Sequence, residues 1–272
     1  MKKIIYILLI CFLCTSCEDV INLDLETAEP RLVIDASLNW IKGTDGKTQF
    51  IRLSLTAPYY GNNIPPASGA IVRVTDQNNN TFNFIEEGEN TGMYKNDTFI
   101  PVINNIYSLT IIYNNEIYTA TETLMPVVPI DFVEQKDNGG FSGDETEIKA
   151  YYTDPANIEN YYLFEFVIIN TNALNLEVYD DEFTDGNQIF GFYSKDNLIA
   201  GDQLTIRNSG ISKRAFEYLN ILLQQNDNQS GDPFEIQPAT VRGNCINQTN
   251  PSNYPLGYFR VSETSIFSYT IE

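Results

Sequence analysis

Along most of this chain apolar residues return at every second position, a rhythm that suits extended strands with one buried face and excludes long amphipathic helices. Leu32, Ile34, Ala36 and Leu38 alternate with Val33, Asp35, Ser37 and Asn39. Ile51, Leu53 and Leu55 alternate with Arg52, Ser54 and Thr56 until Ala57-Pro58 ends the run. Residues 70–75 and Phe82, Phe84 and Ile85 flank Asn78-Asn79-Asn80, a hairpin turn because asparagine tolerates positive φ. Tyr107, Leu109, Ile111 and Tyr113 alternate, Asn114-Asn115 turns the chain, and residues 117–124 run back. About seven short strands without a helical period predict a β-sandwich over residues 30–125.

Pro126 and Pro129 flank Val127-Val128 and stiffen the chain into an extended connector, so a domain boundary is expected there. Beyond it, residues 130–134 and 147–153 read as strands, with Asn138-Gly139-Gly140 as a flexible loop between them. Residues 161–169 are apolar on both faces except at Glu165, the pattern of a central strand covered on both sides. Glu165 reads as an edge-facing or water-reaching carboxylate, with a functional acid as the alternative. One helix is predicted over about 212–225. Ser212 caps it, and Phe216, Leu219, Leu222 and Leu223 recur at three- and four-residue spacing before residues 226–231 stop it. Its apolar stripe is wide enough to pack over an open sheet end rather than to bind a partner. Strands resume at 239–242, 256–261 and 266–271. The expected architecture is mainly β, a sandwich followed by a second β-rich domain (126–272) with one helix.

The N-terminus carries a different signal. Met1-Lys2-Lys3 precedes an apolar run at 4–13 broken only by Tyr6, too short to span a bilayer, and Thr15-Ser16-Cys17 follows closely. Residues 1–16 therefore read as a lipoprotein signal peptide, with Cys17 the acylated first residue; a plain secretory leader is the alternative. Cys14 stands where leucine is usual. Each buried methylene of the acyl chains, palmitate among them, adds about 0.8 kcal/mol, so several chains anchor the protein in effect permanently. Residues 17–29 read as an acidic tether. No later stretch approaches the ~20 apolar residues of a spanning helix.

Composition removes several function classes. The formal net charge is −20, and loss of the two cations Lys2 and Lys3 with the leader takes it to −22. Such a surface repels phosphate backbones and argues against nucleic acid as a partner. Histidine is absent, which removes Ser-His-Asp and Cys-His catalysis and most zinc sites. Of the four cysteines, Cys11 and Cys14 leave with the leader and Cys17 is acylated, so Cys245 has no partner for an internal disulfide. It is expected to be a small core residue rather than a nucleophile.

What remains is carboxylate chemistry. Asp180-Asp181-Glu182 with Asp185-Gly186 forms a weak calcium candidate in which Asp180, Asp181 and Asp185 would be ligands, and calcium is the one cofactor suggested. Phe183 and Phe192 stand where an EF-hand needs oxygen donors, so a solvated turn is the competing reading. Asp144, Glu145 and Glu147 read as a second acidic cluster on the surface. Paired carboxylates could hydrolyse a glycoside at about 5–9.5 Å separation, a distance no sequence displays. Tyr59-Tyr60, Tyr151-Tyr152, Tyr161-Tyr162 and Trp40 could build an aromatic ligand platform, although strand tyrosines usually pack core and rim.

Two resemblances add to this. The run Pro66-Ala67-Ser68-Gly69-Ala70-Ile71-Val72-Arg73-Val74, then Gly92-Met93-Tyr94 and Tyr107-Ser108-Leu109-Thr110-Ile111, resembles the transthyretin-like, carboxypeptidase-regulatory type of sandwich. An immunoglobulin-like sandwich reads much the same. Over the whole mature chain, Pro30-Arg31-Leu32-Val33-Ile34, Tyr118-Thr119-Ala120, Asp185-Gly186, Tyr218-Leu219, Gly243-Asn244 and Leu256-Gly257-Tyr258-Phe259 resemble a family of Bacteroidota lipoproteins known only as a domain of unknown function. That resemblance implies an outer-membrane lipoprotein encoded beside a TonB-dependent receptor, with Glu18 and Asp19 as the signal for display on the cell exterior. It carries no catalytic residue. The leading expectation is a non-enzymatic accessory or ligand-binding partner of such a transporter. A carboxylate-dependent surface hydrolase and a structural or adhesive surface module are the alternatives.

Overall fold

The alternation read from the sequence is realised as two β-sandwiches that share one strand. A computed structural model describes residues 29–58, 63–140, 143–171, 173–196, 198–227 and 241–272. The leader, Cys17, Glu18, Asp19 and all of the tether but Glu29 lie outside the described residues, as do Tyr59 and Tyr60.

The first sandwich uses β1 (Leu32–Ile41), β2 (Gln49–Leu55), β3 (Ile71–Asp76), β4 (Thr81–Glu86), β5 (Met93–Asn96), β6 (Ile106–Tyr113) and β7 (Glu116–Thr123). β1, β2 and β5 form one leaf, and β3, β6 and β7 the other. β4 serves both, pairing with β3 through Val72 and Phe84 and with β5 through Glu86 and Tyr94. Every second side chain points inward, so Ile34, Leu38, Ile51, Leu53, Val74 and Ile111 meet in one core. The expected turns are present: Asn79 has φ 64°, and Asn114 and Asn115 have φ 49° and 61°.

The second sandwich uses β8 (Phe132–Gly139), β9 (Glu145–Thr153), β10 (Tyr161–Ile168), β11 (Ala173–Asp180), β12 (Gln188–Lys195) and β13 (Gln203–Gly210). β11, β10 and β13 make one leaf and β12, β9 and β8 the other. Tyr152, Tyr162, Phe164, Phe166 and Ile206 fill the space between them. The helix, α1 (Lys213–Asp227), falls where it was predicted, with Ser212 Oγ accepting the Ala215 N–H at 3.2 Å. Ala215, Phe216 and Leu219 cover Tyr161 and Leu163, so β10 is buried on both faces as expected. No helix among the described residues is long and apolar enough to cross a membrane.

The two cores divide between Leu124 and Val127, but the second unit does not run unbroken to residue 272, because the chain returns to the first sandwich. β14 (Ile246–Asn247) pairs with β7, and Cys245, Phe259 and Val261 join the first core. The strands expected at 256–261 and 266–271 are one, β15 (Leu256–Thr270). Its first part runs parallel to β1 from Val33–Leu256 to Ile41–Thr264, and its last part runs antiparallel to β13 from Ser209–Thr264 to Gln203–Thr270. Thr264 is the hand-over point. Gly257, at φ +93°, lets β15 approach β1: a Cβ there would stand 2.0 Å from the Ile34 carbonyl oxygen. The connector is pinned to this strand. Glu263 donates its N–H to Met125 O at 2.9 Å, and its Oε2 accepts the Val127 N–H at 3.0 Å and pairs with Lys42 at 2.8 Å. Residues 241 and 242 are not a strand, and 239–240 lie outside the described residues. The expected loop at 138–140 is partly strand: β8 reaches Gly139 through an irregularity after Lys136.

Candidate metal centre

β9 ends at Thr153 and β11 at Asp180, and the loops that follow them meet at the end of the second sandwich nearer the first. Asp154 opens one loop, and Asp181 and Asp185 lie in the other. One carboxylate oxygen from each lies within 4.8 Å of the others. Asp154 and Asp181 are buried, at 2% and 4% exposure, while Asp185 is exposed. The carboxylates also lace the loops together. Asp154 Oδ1 accepts the Tyr162 hydroxyl at 2.6 Å and its Oδ2 accepts the Gly186 N–H at 3.1 Å. Asp181 Oδ2 accepts the Asn160 N–H at 2.8 Å, and Asp185 Oδ1 accepts the Asn157 N–H at 2.8 Å. Burial raises the Asp181 carboxyl above the ordinary carboxylate range. The Asn160 amide opposes that shift, and the charges of Asp154 and Asp185 add to it.

Of the three expected ligands, Asp181 and Asp185 come together and Asp180 stays out of the trio, where Oδ1 accepts the Glu182 N–H at 3.3 Å. The third member, Asp154, was missed. It is remote in sequence, and the pairing of β9 with β12, where Thr153 stands opposite Gln188, brings it near. A cleft of about 360 Å³ opens beside Asp181, lined also by Glu159, Asp180, Glu182, Lys213 and Glu217.

A family model described as "Domain of unknown function (DUF4249)" matches residues 18–266, which takes in both sandwiches and most of β15. The chain belongs to this family. No curated protein matches it. Among solved structures, it is 11% identical to a two-domain fibronectin type III segment of chicken tenascin, covering 69% of this chain and 89% of that one at a TM-score of 0.21. It is 10% identical to a DUF4785 family protein of Legionella pneumophila, covering 66% of this chain and 52% of that one at a TM-score of 0.26.

Within this DUF4249 chain, Gly243-Asn244 and Leu256-Gly257-Tyr258-Phe259, two of the motifs that carried the resemblance, brace the fold. Asn244, buried, grips the backbone of Phe259 from both sides: Nδ2 donates to its carbonyl at 2.7 Å and Oδ1 accepts its N–H at 2.9 Å. Tyr258 donates its hydroxyl to Glu122 at 2.8 Å. Cys245 lies in the first core, where burial pushes its thiol up to about 12, so it is a packing residue and a poor nucleophile. Glu165 reaches water with part of its side chain, 17% exposed, as expected: its carboxylate is 3.7 Å from Arg207 and acts on buried Arg260, whose guanidinium donates to Ser262 Oγ at 2.9 Å. Glu147, expected on the surface, is buried. It pairs with Lys149 at 2.6 Å and accepts the Gly140 N–H at 3.0 Å.

The described tyrosines of the expected aromatic platform are dispersed. Tyr152 and Tyr162 are in the second core, Tyr161 lies under the helix, and Trp40 donates to Thr44 O at 2.9 Å in the first sandwich. Only Tyr151 faces outward, stacked on Phe132 at 4.6 Å with Phe190 edge-on at 5.3 Å.

Proposed function

We propose that this chain is a lipid-anchored protein of the outer membrane, held by Cys17 and facing the cell exterior. In this reading it serves a TonB-dependent receptor as an accessory or ligand-binding subunit and performs no catalysis. One observation carries the reading: an apolar leader ends at Cys17, and an acidic segment then joins a stiff two-sandwich body at one extremity. β1 begins at Leu32, directly after the tether, and β15 starts beside Val33 and runs the same way. Fifteen residues at about 3.3 Å each carry β15 roughly 50 Å from that end, so the second sandwich projects away from the anchor. The Glu263 contacts to Lys42 and Val127 hold the junction, which supports a rigid arm able to present its far surface to a partner.

The test is made on native membranes. The wild-type chain should stay with outer membranes through carbonate washing and carry palmitate, and Cys17→Ala should release it. Purification in mild detergent should bring down a large β-barrel receptor. A chain that carries no acyl group overturns the anchor, and an acylated chain that purifies alone overturns the partnership.

A further inference from the structure

We propose that Asp154, Asp181 and Asp185 together bind one calcium ion that staples the loop after β9 to the loop after β11. The inference is independent of the lipid anchor and of any receptor. Three observations support it.

The first is geometric. Oxygens on opposite sides of a calcium ion stand about 4.6–5.2 Å apart, twice a Ca–O distance of 2.3–2.6 Å. Three carboxylate oxygens within 4.8 Å of one another fit such a shell. Magnesium, with Mg–O of about 2.0–2.1 Å, demands a near-ideal octahedron and keeps several of its waters, so calcium is the better match for carboxylates carried on two separate loops. The donors are all oxygen, which selects a hard cation.

The second is electrostatic. Two of the three carboxylates are buried, and no lysine or arginine forms an ion pair with any of them among the described residues. Lys213, on the far side of the adjoining cleft, pairs with Glu159 at 3.0 Å. Clustered buried carboxylates without a cation are costly, and a divalent ion supplies the missing charge.

The third observation lies outside the cluster. Tyr152 is 0% exposed, and its hydroxyl has no hydrogen-bond partner. Its ring packs edge-on against Tyr162 at 4.8 Å, the tyrosine whose hydroxyl reaches Asp154, and it precedes Asp154 by two positions on the same side of the chain. After burial and the neighbouring Tyr179, the charges of Asp154 and Asp181 act on that hydroxyl. Thr184 Oγ1, in the turn between Asp181 and Asp185, is also sealed from solvent without a partner. Buried hydroxyls are rarely left unpaired. A calcium shell of six to eight oxygens completes itself with waters, and such waters would accept from both hydroxyls.

The purified full chain, stripped of metal, is titrated with calcium chloride by calorimetry and thermal melting. One ion per chain should bind with a Kd on the order of 10⁻⁴–10⁻³ M, as extracellular modules do. At tenfold excess over Kd the melting temperature should rise by about 3–5 °C. Magnesium at equal concentration should give less than a third of that shift. Asp185→Asn, an exposed change that leaves the core intact, should weaken binding at least tenfold, and Glu182→Gln in the same loop should leave it unchanged. A folded wild-type chain with no calcium-dependent shift at 10 mM overturns the site. So does a shift that survives Asp185→Asn or is matched by magnesium, because either marks diffuse screening of an acidic surface.

Discussion

Each sandwich withdraws carboxylates from water at the ends of its strands, and their surroundings drive them in opposite directions. In the first, Asp76 closes the β3–β4 turn, where Oδ1 accepts the N–H groups of Asn78 and Asn80 at 2.8 Å each and Oδ2 accepts the Asn80 side-chain amide at 2.8 Å. Glu86 gathers the N–H groups of Gly69, Thr91 and Gly92 and the Ser68 hydroxyl, tying two loops to one side chain. Burial alone would raise both groups, but these donors outweigh it and both lie below the ordinary carboxylate range. In the second, Asp181 receives the amides of Asn160 and of its own residue against two neighbouring carboxylates, and it stays raised. Burial pushes all three carboxyls up, and the donors aimed at each decide whether that push is overcome. Asp76 and Glu86 are complete as they stand, whereas the trio lacks positive charge.

The largest effect that tests this contrast comes from Asp154→Ala. It strips the partner from the buried Tyr162 hydroxyl and from the Gly186 N–H, and stranded buried donors should cost about 3 kcal/mol. Chemical denaturation followed by circular dichroism measures it. A loss below about 1 kcal/mol would mean that the loops hold their shape without the carboxylate.

Next in size is a pair of matched amide substitutions with opposite signs. Glu86→Gln turns an NH₂ toward N–H donors and should destabilise by about 2 kcal/mol, less than four buried bonds would give because two of them are solvent-exposed. Asp181→Asn in the metal-free chain keeps an acceptor for Asn160 while removing one of three like charges. It should stabilise by about 1 kcal/mol and abolish the response to calcium. If both substitutions destabilise alike, the two regions are not different in kind.

How much of this the sequence displayed follows from where each side chain finds its neighbours. β1, β2, β3, β6 and β7 were legible because each pairs with near neighbours and buries one clean face. The helix was legible because Ser212 and its apolar spacing are local signals. β15 was not. Its middle, Ser262-Glu263-Thr264-Ser265, reads as a polar break between strands, yet all four residues are buried. Polar groups are tolerated there because the junction satisfies them: Ser209 and Thr264 hydroxyls meet at 2.8 Å, and Glu263 holds Lys42 and the connector. The trio was half legible. Asp181 and Asp185 are neighbours in the chain, while Asp154 joins them only once β9 has paired with β12.

The smallest effect is the dependence on pH, and its sign separates the regions once more. The folded values of Asp76 and Glu86 lie below their unfolded ones, so their contribution to stability is present above the unfolded carboxylate range near pH 4 and is lost as pH falls through the folded values. Thermal melts of the calcium-loaded chain between pH 6 and pH 3 should therefore decline mainly below about pH 4. The double variant Asp76→Asn, Glu86→Gln starts from a lower melting temperature and should decline less steeply, because the groups whose protonation drives that part of the slope are gone. An unchanged slope would place the acid sensitivity in other carboxylates and leave the donors around Asp76 and Glu86 as geometry without electrostatic consequence.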